Sequence, residues 1–190
     1  MKPKFRRLLP ALFLLCLAQL HAQTPGPYQF EIGLGLHSFY LPGIGARWAN
    51  PQPVVTLGAY RSINSSGNLR AGLSLGYQRH RYQGDGLYIQ AQFRYNPLIG
   101  RHFEPGIAAG AGYQMAFYPS ASLRWDGDKW VKGRAFKGVV QAPLRISLGY
   151  RSGHYTPFIA CQTNILFGYS PDLSPLPVTA LLAGVKISPR

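Results

Sequence analysis

Apolar and polar side chains alternate with a period of two along most of the chain. In residues 28–40 the even positions are mainly aromatic or aliphatic, from Tyr28 through Leu34, whereas the odd positions include Gln29, Glu31 and two glycines. Residues 69–78, 87–96, 107–117 and 140–150 repeat this scheme. A strand points successive side chains to opposite faces, so these five segments are predicted to be β-strands with one apolar face.

Three further segments show the same period more weakly. Residues 53–62 predict a strand whose apolar face the sequence does not decide. Residues 155–169 predict a strand whose apolar face is also undecided, with one choice that places Ile159, Cys161, Ile165 and Phe167 on it. Residues 177–188 predict a strand with Leu181, Ala183, Val185 and Ile187 on the apolar face. The total is eight strands, most of them with the ~9–11 residues that a tilted membrane-spanning strand needs.

An even number of strands brings both chain ends to one side of a barrel, which would be the periplasmic side. The periplasmic links would then be 63–68, 97–104 and 151–154. The outer links would be 41–52, 84–86, 119–138 and 170–176. Outer loops of such barrels are generally longer than periplasmic turns, and 84–86 is the exception, as a predicted tight turn.

The direction of the apolar face separates a membrane barrel from a soluble, lipocalin-like one. The other face consists of Gly, Ala, Ser, Gln and a few Arg, which suits a narrow interior better than a water-exposed surface. Aromatic residues lie near the segment ends and predict interfacial girdles: Tyr28, Tyr40, Tyr77, Tyr95, Phe117 and Tyr150. We therefore predict an all-β, eight-stranded antiparallel transmembrane up-and-down β-barrel.

The N-terminus has the organisation of a secretory signal peptide. Lys2, Lys4, Arg6 and Arg7 precede a short apolar run, and Ala22 offers a small residue before a cleavage point. Residues 1–22 are thus predicted to be a cleaved signal peptide and residues 23–190 the barrel domain. Removal of the signal leaves sixteen Lys and Arg against six acids, a net charge of +10.

The alternating segments resemble those of small outer-membrane β-barrels, such as the OmpA transmembrane domain, OmpX and the Bacteroidota-type outer membrane beta-barrel family. The resemblance covers residues 28–188 and includes segments such as 72–77 and 146–150. It implies a location in the outer membrane of a Gram-negative bacterium and insertion by the barrel assembly machinery. Many such barrels end in an aromatic residue, whereas this chain ends at Arg190.

Four charged residues fall on the predicted inner face: Glu31, Arg70, Arg94 and Arg145. A buried charge needs a partner or water, so Glu31 and one or more arginines are expected to form an internal ion-pair cluster. The alternative is a path with weak anion preference that the three arginines line.

A second set of basic residues falls at the predicted outer end or in the loop 119–138, which also contains Trp125 and Trp130. This set is a candidate contact for lipid A phosphates, lipopolysaccharide or glycans; the alternative is a simple solvated loop. The set consists of Arg79, Arg81, Arg124, Lys129, Lys132, Arg134 and Lys137. Expected partners are outer-membrane lipid and lipopolysaccharide, not nucleic acid; the sequence does not give the oligomeric state.

The sequence gives little indication of a catalytic site. His37 and Ser38 are adjacent on a strand and point to opposite faces, and Ser152 and His154 lie in a predicted turn without a nearby acid. We expect no cofactor, no metal site and no catalytic residue. The favoured function is a structural or interaction barrel with basic outer loops; the alternatives are a small porin-like conduit and a lipid A-modifying enzyme.

Overall fold

The computed structural model describes residues 28–38, 51–79, 84–118, 123–132, 135–169 and 174–189. The secondary structure in these ranges consists of strands. In chain order they are β1 (Tyr28–Ser38), β2 (Gln52–Ser62), β3 (Leu69–Gln78), β4 (Asp85–Tyr95), β5 (Phe103–Phe117), β6 (Leu123–Trp125), β7 (Trp130–Lys132), β8 (Phe136–Tyr150), β9 (Tyr155–Phe167) and β10 (Leu176–Ile187).

Eight of the strands close into one barrel, in the order β1-β10-β9-β8-β5-β4-β3-β2. Every neighbouring pair is antiparallel, and β1 pairs with β10 to close the sheet. The predicted eight-stranded up-and-down barrel is confirmed. No helix in the described part of the chain is long and apolar enough to cross a membrane.

The two ends of the barrel differ in their connections. The end with the links 63–68, 96–102 and 151–154 also contains Tyr28 and Ile187, and we call it the turn end. The opposite end, with the links 39–51, 79–84, 118–135 and 168–175, is the loop end.

Two predicted loop-end links need correction. The predicted tight turn 84–86 is wrong, because Asp85 and Gly86 already belong to β4, where Gly86 pairs with Gln78 and Ala116. The predicted loop 119–138 contains the β6–β7 hairpin and the first residues of β8. This hairpin forms around a turn in which Asp126 N donates to Lys129 O at 3.0 Å and Gly127 has a φ of +101°.

Most large apolar side chains of the barrel strands face outward, and most polar ones face inward. Leu34, Phe93 and Ile146 on the outside are 60%, 63% and 69% exposed, whereas Gln90 on the inside is 0% exposed. The sequence does not decide the outward faces of β2 and β9; Val55 and Leu57 face outward on β2, and Ile159 and Phe167 face outward on β9. An exterior of this kind is stable in hydrocarbon and not in water.

Small residues on the inner face make room for large ones across the strands. Gly76 on β3 pairs with Tyr88 on β4, and a Cβ at Gly76 would lie 2.0 Å from Cζ of Tyr88. The Tyr88 ring is thus packed over a glycine, and it is 2% exposed. This pairing explains why glycine occurs on the inner face of β3.

Candidate functional site

The lumen contains an ion cluster centred on Glu31 of β1. Its Oε2 lies 2.5 Å from Nη1 of Arg94 on β4, and its Oε1 lies 2.7 Å from Nη1 of Arg145 on β8. Nη2 of Arg94 also donates to Oε1 of Glu31 at 3.2 Å. Each arginine lies three strands away from β1 around the barrel, in opposite directions. The cluster therefore joins three separate parts of the wall across the lumen.

Neutral polar groups complete the surroundings of Arg94. Its Nε donates to Oε1 of Gln92 at 3.1 Å, and its Nη2 donates to the hydroxyl of Tyr60. The guanidinium carbon lies 3.5 Å from the centroid of the Tyr60 ring. The Tyr60 hydroxyl in turn donates to Oε1 of Gln92 at 3.2 Å. Arg94 is held by a carboxylate, an amide and an aromatic face, which fixes its position.

Amide side chains connect β4 to β9 through the middle of the barrel. Gln90 Nε2 donates to Oδ1 of Asn164 at 3.0 Å, and Gln162 Nε2 donates to Oε1 of Gln90 at 3.2 Å. Gln92 Nε2 donates to Oε1 of Gln90 at 2.7 Å. The interior at this level is occupied by hydrogen-bonded side chains, as expected for a barrel of eight strands.

A second ion cluster lies at the turn end, and the sequence analysis did not identify it. Lys186 of β10 places its Nζ 2.8 Å from Oε1 of Glu104 on β5. Arg151 contacts the other oxygen, with its Nε 3.1 Å from Oε2. Glu104 falls in the predicted link 97–104, although it shares the even parity of the inward-facing Gln114. This parity is the sequence feature that indicates an inward-facing Glu104.

Arg70 lies near the turn end and hydrogen-bonds to Gln29 instead of to Glu31. Its Nη1 donates to Oε1 of Gln29 at 3.3 Å, and the residue is 5% exposed. Its cross-strand partners are Ser62 on β2 and Arg94 on β4. Of the four predicted lumen residues, the structure thus brings Glu31, Arg94 and Arg145 into direct contact and leaves Arg70 without a carboxylate partner among the described side chains.

Apolar residues fill part of the lumen, in one cluster at the loop end and a second that extends to Phe158, beside Arg145 and Lys186. Val139, Leu166, Leu176 and Val178 form one buried cluster, against which Tyr169 packs. The second buried cluster consists of these residues: Val54, Phe158, Ala160, Ala180 and Leu182. The lumen is therefore polar and charged toward the turn end and partly apolar toward the loop end.

The basic residues predicted for the outer end that the structure describes lie on different elements at the loop end. Arg79 follows β3 and is exposed, and Lys129 and Lys132 are exposed on the β6–β7 hairpin. Lys137 of β8 is half-buried, and its Nζ donates to the Tyr169 carbonyl oxygen at 3.0 Å. Arg124 belongs to β6. Arg81, Arg134 and the side chain of Arg124 lie outside the described residues, as do Tyr40 and the predicted signal peptide.

The exposed tryptophans of the hairpin form a cross-strand pair. Trp125 pairs with Trp130, and their ring centroids are 5.4 Å apart in an edge-to-face arrangement. The two residues are 52% and 64% exposed. The hairpin thus presents two aromatic rings beside Lys129 and Lys132.

Outward aromatic residues form one ring at each end of the barrel. Five begin or end strands at the turn end: Tyr28, Tyr95, Phe103, Tyr150 and Tyr155. Four lie near strand ends at the loop end: Tyr77, Phe117, Phe136 and Phe167. Side chains of this type suit the headgroup level at the two surfaces of a bilayer.

The histidines that the structure describes all contact backbone carbonyl groups. His37 Nε2 lies 2.8 Å from the Arg79 oxygen, His102 Nδ1 lies 2.9 Å from the Arg151 oxygen, and His154 Nδ1 lies 3.1 Å from the Ser188 oxygen. Within the described ranges, no three His, Cys, Asp or Glu residues are grouped as metal ligands.

Comparison with known proteins gives structural matches only: no protein-family model and no curated protein sequence matches the chain. The Neisserial surface protein A matches with a TM-score of 0.61 and 12% identity over 84% of this chain and 96% of its own. The N-terminal β-barrel domain of Pseudomonas aeruginosa OprF matches with a TM-score of 0.56 and 12% identity over 87% of this chain and 99% of its own.

A third match is the attachment invasion locus protein Ail of Yersinia pestis, in complex with the heparin analogue sucrose octasulfate. Its TM-score is 0.55, with 12% identity over 87% of this chain and 99% of the other. The fold is that of the small outer-membrane β-barrels. Together with the apolar exterior, this fold confirms the predicted resemblance, the predicted transmembrane barrel and the predicted outer-membrane location.

Proposed function

We propose that this outer-membrane barrel is a closed interaction protein whose loop end faces outward and binds lipopolysaccharide or acidic glycans. The observation that supports this most strongly is the β6–β7 hairpin, where Lys129 and Lys132 lie beside the exposed Trp125–Trp130 pair. Lysines attract phosphate and sulfate groups, and exposed indole rings are large contact surfaces at interfaces.

The position of the hairpin supports binding at the membrane surface. It lies between β5 and β8, which are 15 residues long each and are the longest strands described. Their outermost pair, Phe117 and Phe136, belongs to the loop-end aromatic ring. The hairpin therefore follows directly beyond the headgroup level, where the phosphates and sugars of the outer leaflet would lie.

The Ail complex offers an analogy for an anionic ligand. That barrel has been solved with sucrose octasulfate, a heparin analogue. At 12% identity, that protein and this chain share the fold alone. We extend the ligand class, a densely anionic glycan, to the present chain on the basis of its own lysines and tryptophans.

A conduit has weaker support than an interaction barrel. The ion clusters, the amide network and the Val139–Leu166–Leu176–Val178 cluster occupy the lumen. Enzyme function also has weak support, because each described histidine already contacts a carbonyl oxygen.

Retention on immobilised lipopolysaccharide tests the proposal. We expect the purified protein in uncharged detergent to bind and to elute with salt, since screening weakens contacts between exposed charges. The double variant Lys129→Gln/Lys132→Gln should elute at clearly lower salt, and Trp125→Ala should weaken retention further. Arg101→Gln, which removes one exposed charge at the turn end, is the matched control. Equal retention of the double variant and the wild type would contradict the proposal.

A further inference from the structure

The buried charges of the lumen do not balance. Four cationic residues are buried, Arg70, Arg94, Arg145 and Lys186, against two carboxylates, Glu31 and Glu104. The part of the chain that the structure describes thus encloses an excess of two positive charges. Burial of a charge without a counter-charge is strongly unfavourable, so the location of this excess matters.

Arg70 is the buried cation that has no carboxylate partner among the described residues. Glu31 is engaged by Arg94 and Arg145, and Glu104 is engaged by Lys186 and Arg151. Within the described residues, Nη1 of Arg70 donates a long hydrogen bond to Gln29, and its Nε has no hydrogen-bond partner. A guanidinium group has five N–H donors, so Arg70 can contact a ligand in addition to Gln29.

The guanidinium group of Arg70 lies close to the turn 63–68 at the turn end. A Cβ placed on Gly67, in the turn 63–68, would lie 4.0 Å from Nη2 of Arg70 and 3.8 Å from Oγ of Ser62. The guanidinium group therefore lies just beneath this turn, beside a hydroxyl and within a few residues of the strand ends.

We propose that Arg70 forms a binding site for a small inorganic oxyanion of the phosphate type, inside the barrel at the turn end. The planar guanidinium group matches two oxygens of a tetrahedral oxyanion, and the anion would offset part of the excess positive charge. The Ser62 hydroxyl, which donates to the Asn64 carbonyl oxygen, and the Gln29 side chain, which donates to Ser188, lie on the same side of the barrel end. This site is separate from the proposed loop-end contact, which lies at the other end of the barrel.

Calorimetric titration of the purified full-length protein with inorganic phosphate, in uncharged detergent at constant ionic strength, tests this site. We expect saturable binding, with chloride competing at higher concentration. Arg70→Gln should weaken phosphate binding by about tenfold or more, because it removes a charge-assisted contact. Arg101→Gln removes an exposed arginine at the same end and should leave the affinity unchanged.

Heat-modifiable gel migration verifies that each variant has folded. Should Arg70→Gln fail to fold, Arg70→Lys provides the comparison: it keeps the charge but lacks the two-pronged geometry, and it should bind phosphate more weakly than wild type. The proposal is overturned if wild-type protein shows no saturable phosphate binding, if Arg70→Gln or Arg70→Lys binds as tightly as wild type, or if Arg101→Gln loses as much affinity as Arg70→Gln.

Discussion

Nη1 of Arg94 lies 2.5 Å from Oε2 of Glu31, although the two residues are 63 positions apart in sequence and on strands that do not pair. The contact crosses the lumen, and Arg145 reaches the same carboxylate from the other side. The barrel interior is thus held together by a charged centre as well as by the backbone hydrogen bonds of the wall.

Removal of that carboxylate should destabilise the barrel. Glu31→Gln leaves two buried guanidinium groups without a counter-charge, and loss of one partner from a buried ion pair costs about 3–5 kcal/mol. The free energy of unfolding in urea, measured in lipid vesicles, is the appropriate quantity. Asp126→Asn, which neutralises an exposed acid on the hairpin, is the control and should change the free energy little. Equal values for Glu31→Gln and wild type would contradict the role of the cluster.

A larger residue at position 76 should clash with the Tyr88 ring, and truncation of Tyr88 should relieve that clash. Gly76→Val should destabilise the barrel by about 1–3 kcal/mol, because its side chain would overlap the Tyr88 ring. Tyr88→Ala removes that ring, so the double variant should show a smaller loss than the sum of the two single variants. The same urea titration measures all three proteins. Strict additivity would indicate that the two residues do not compete for space.

Because the outer surface faces lipid, an outward-facing charge should lower the free energy of unfolding by an amount that depends on its depth in the bilayer. Leu34→Arg, near the middle of β1, should cost about 2–4 kcal/mol in unfolding free energy, whereas a charge near the interface costs about 0–1 kcal/mol. Phe136→Arg, at the start of β8 in the loop-end ring, is therefore the matched comparison. Similar penalties at both positions would count against a bilayer around this surface.

The filled lumen predicts that the barrel does not conduct ions. In planar bilayers, the reconstituted protein should give no discrete current steps, because hydrogen-bonded and apolar side chains occupy the interior of an eight-stranded barrel. A general porin reconstituted in the same way serves as the positive control. Steps with a reversal potential that favours chloride would instead support the anion-conducting alternative.

The sequence predicted the faces of the strands well, because the side-chain period of two is local. Leu73 and Ile146 are surrounded by neighbours of opposite character and face outward as predicted. In β2 the period gives no answer, since Val54 and Val55 are adjacent and both apolar. Val54 proves to be part of the apolar cluster in the lumen.

The contacts inside the lumen were less accessible to prediction. The period places Glu31 and Arg94 on the inner face but does not determine which residues meet, because that depends on strand order and on the stagger around the barrel. Glu104 is missed because it lies in the predicted link 97–104, where no parity is assigned, although it is the second residue of β5. Lys186 lies in the predicted strand 177–188 on the inward parity, but the period does not indicate that it meets Glu104.

The environment of Cys161, which faces outward on β9 next to the inward-facing Gln162, tests whether the apolar exterior contacts lipid. A nitroxide label on Cys161, in a Cys16→Ser background in lipid vesicles, reports collisions with lipid-soluble oxygen and with a water-soluble nickel complex. We expect frequent collisions with oxygen and few with nickel at position 161. A label at position 162 in the Cys161→Ala, Gln162→Cys variant should show low access to oxygen. Frequent nickel collisions at position 161, as on a water-exposed surface, would contradict a lipid-facing exterior.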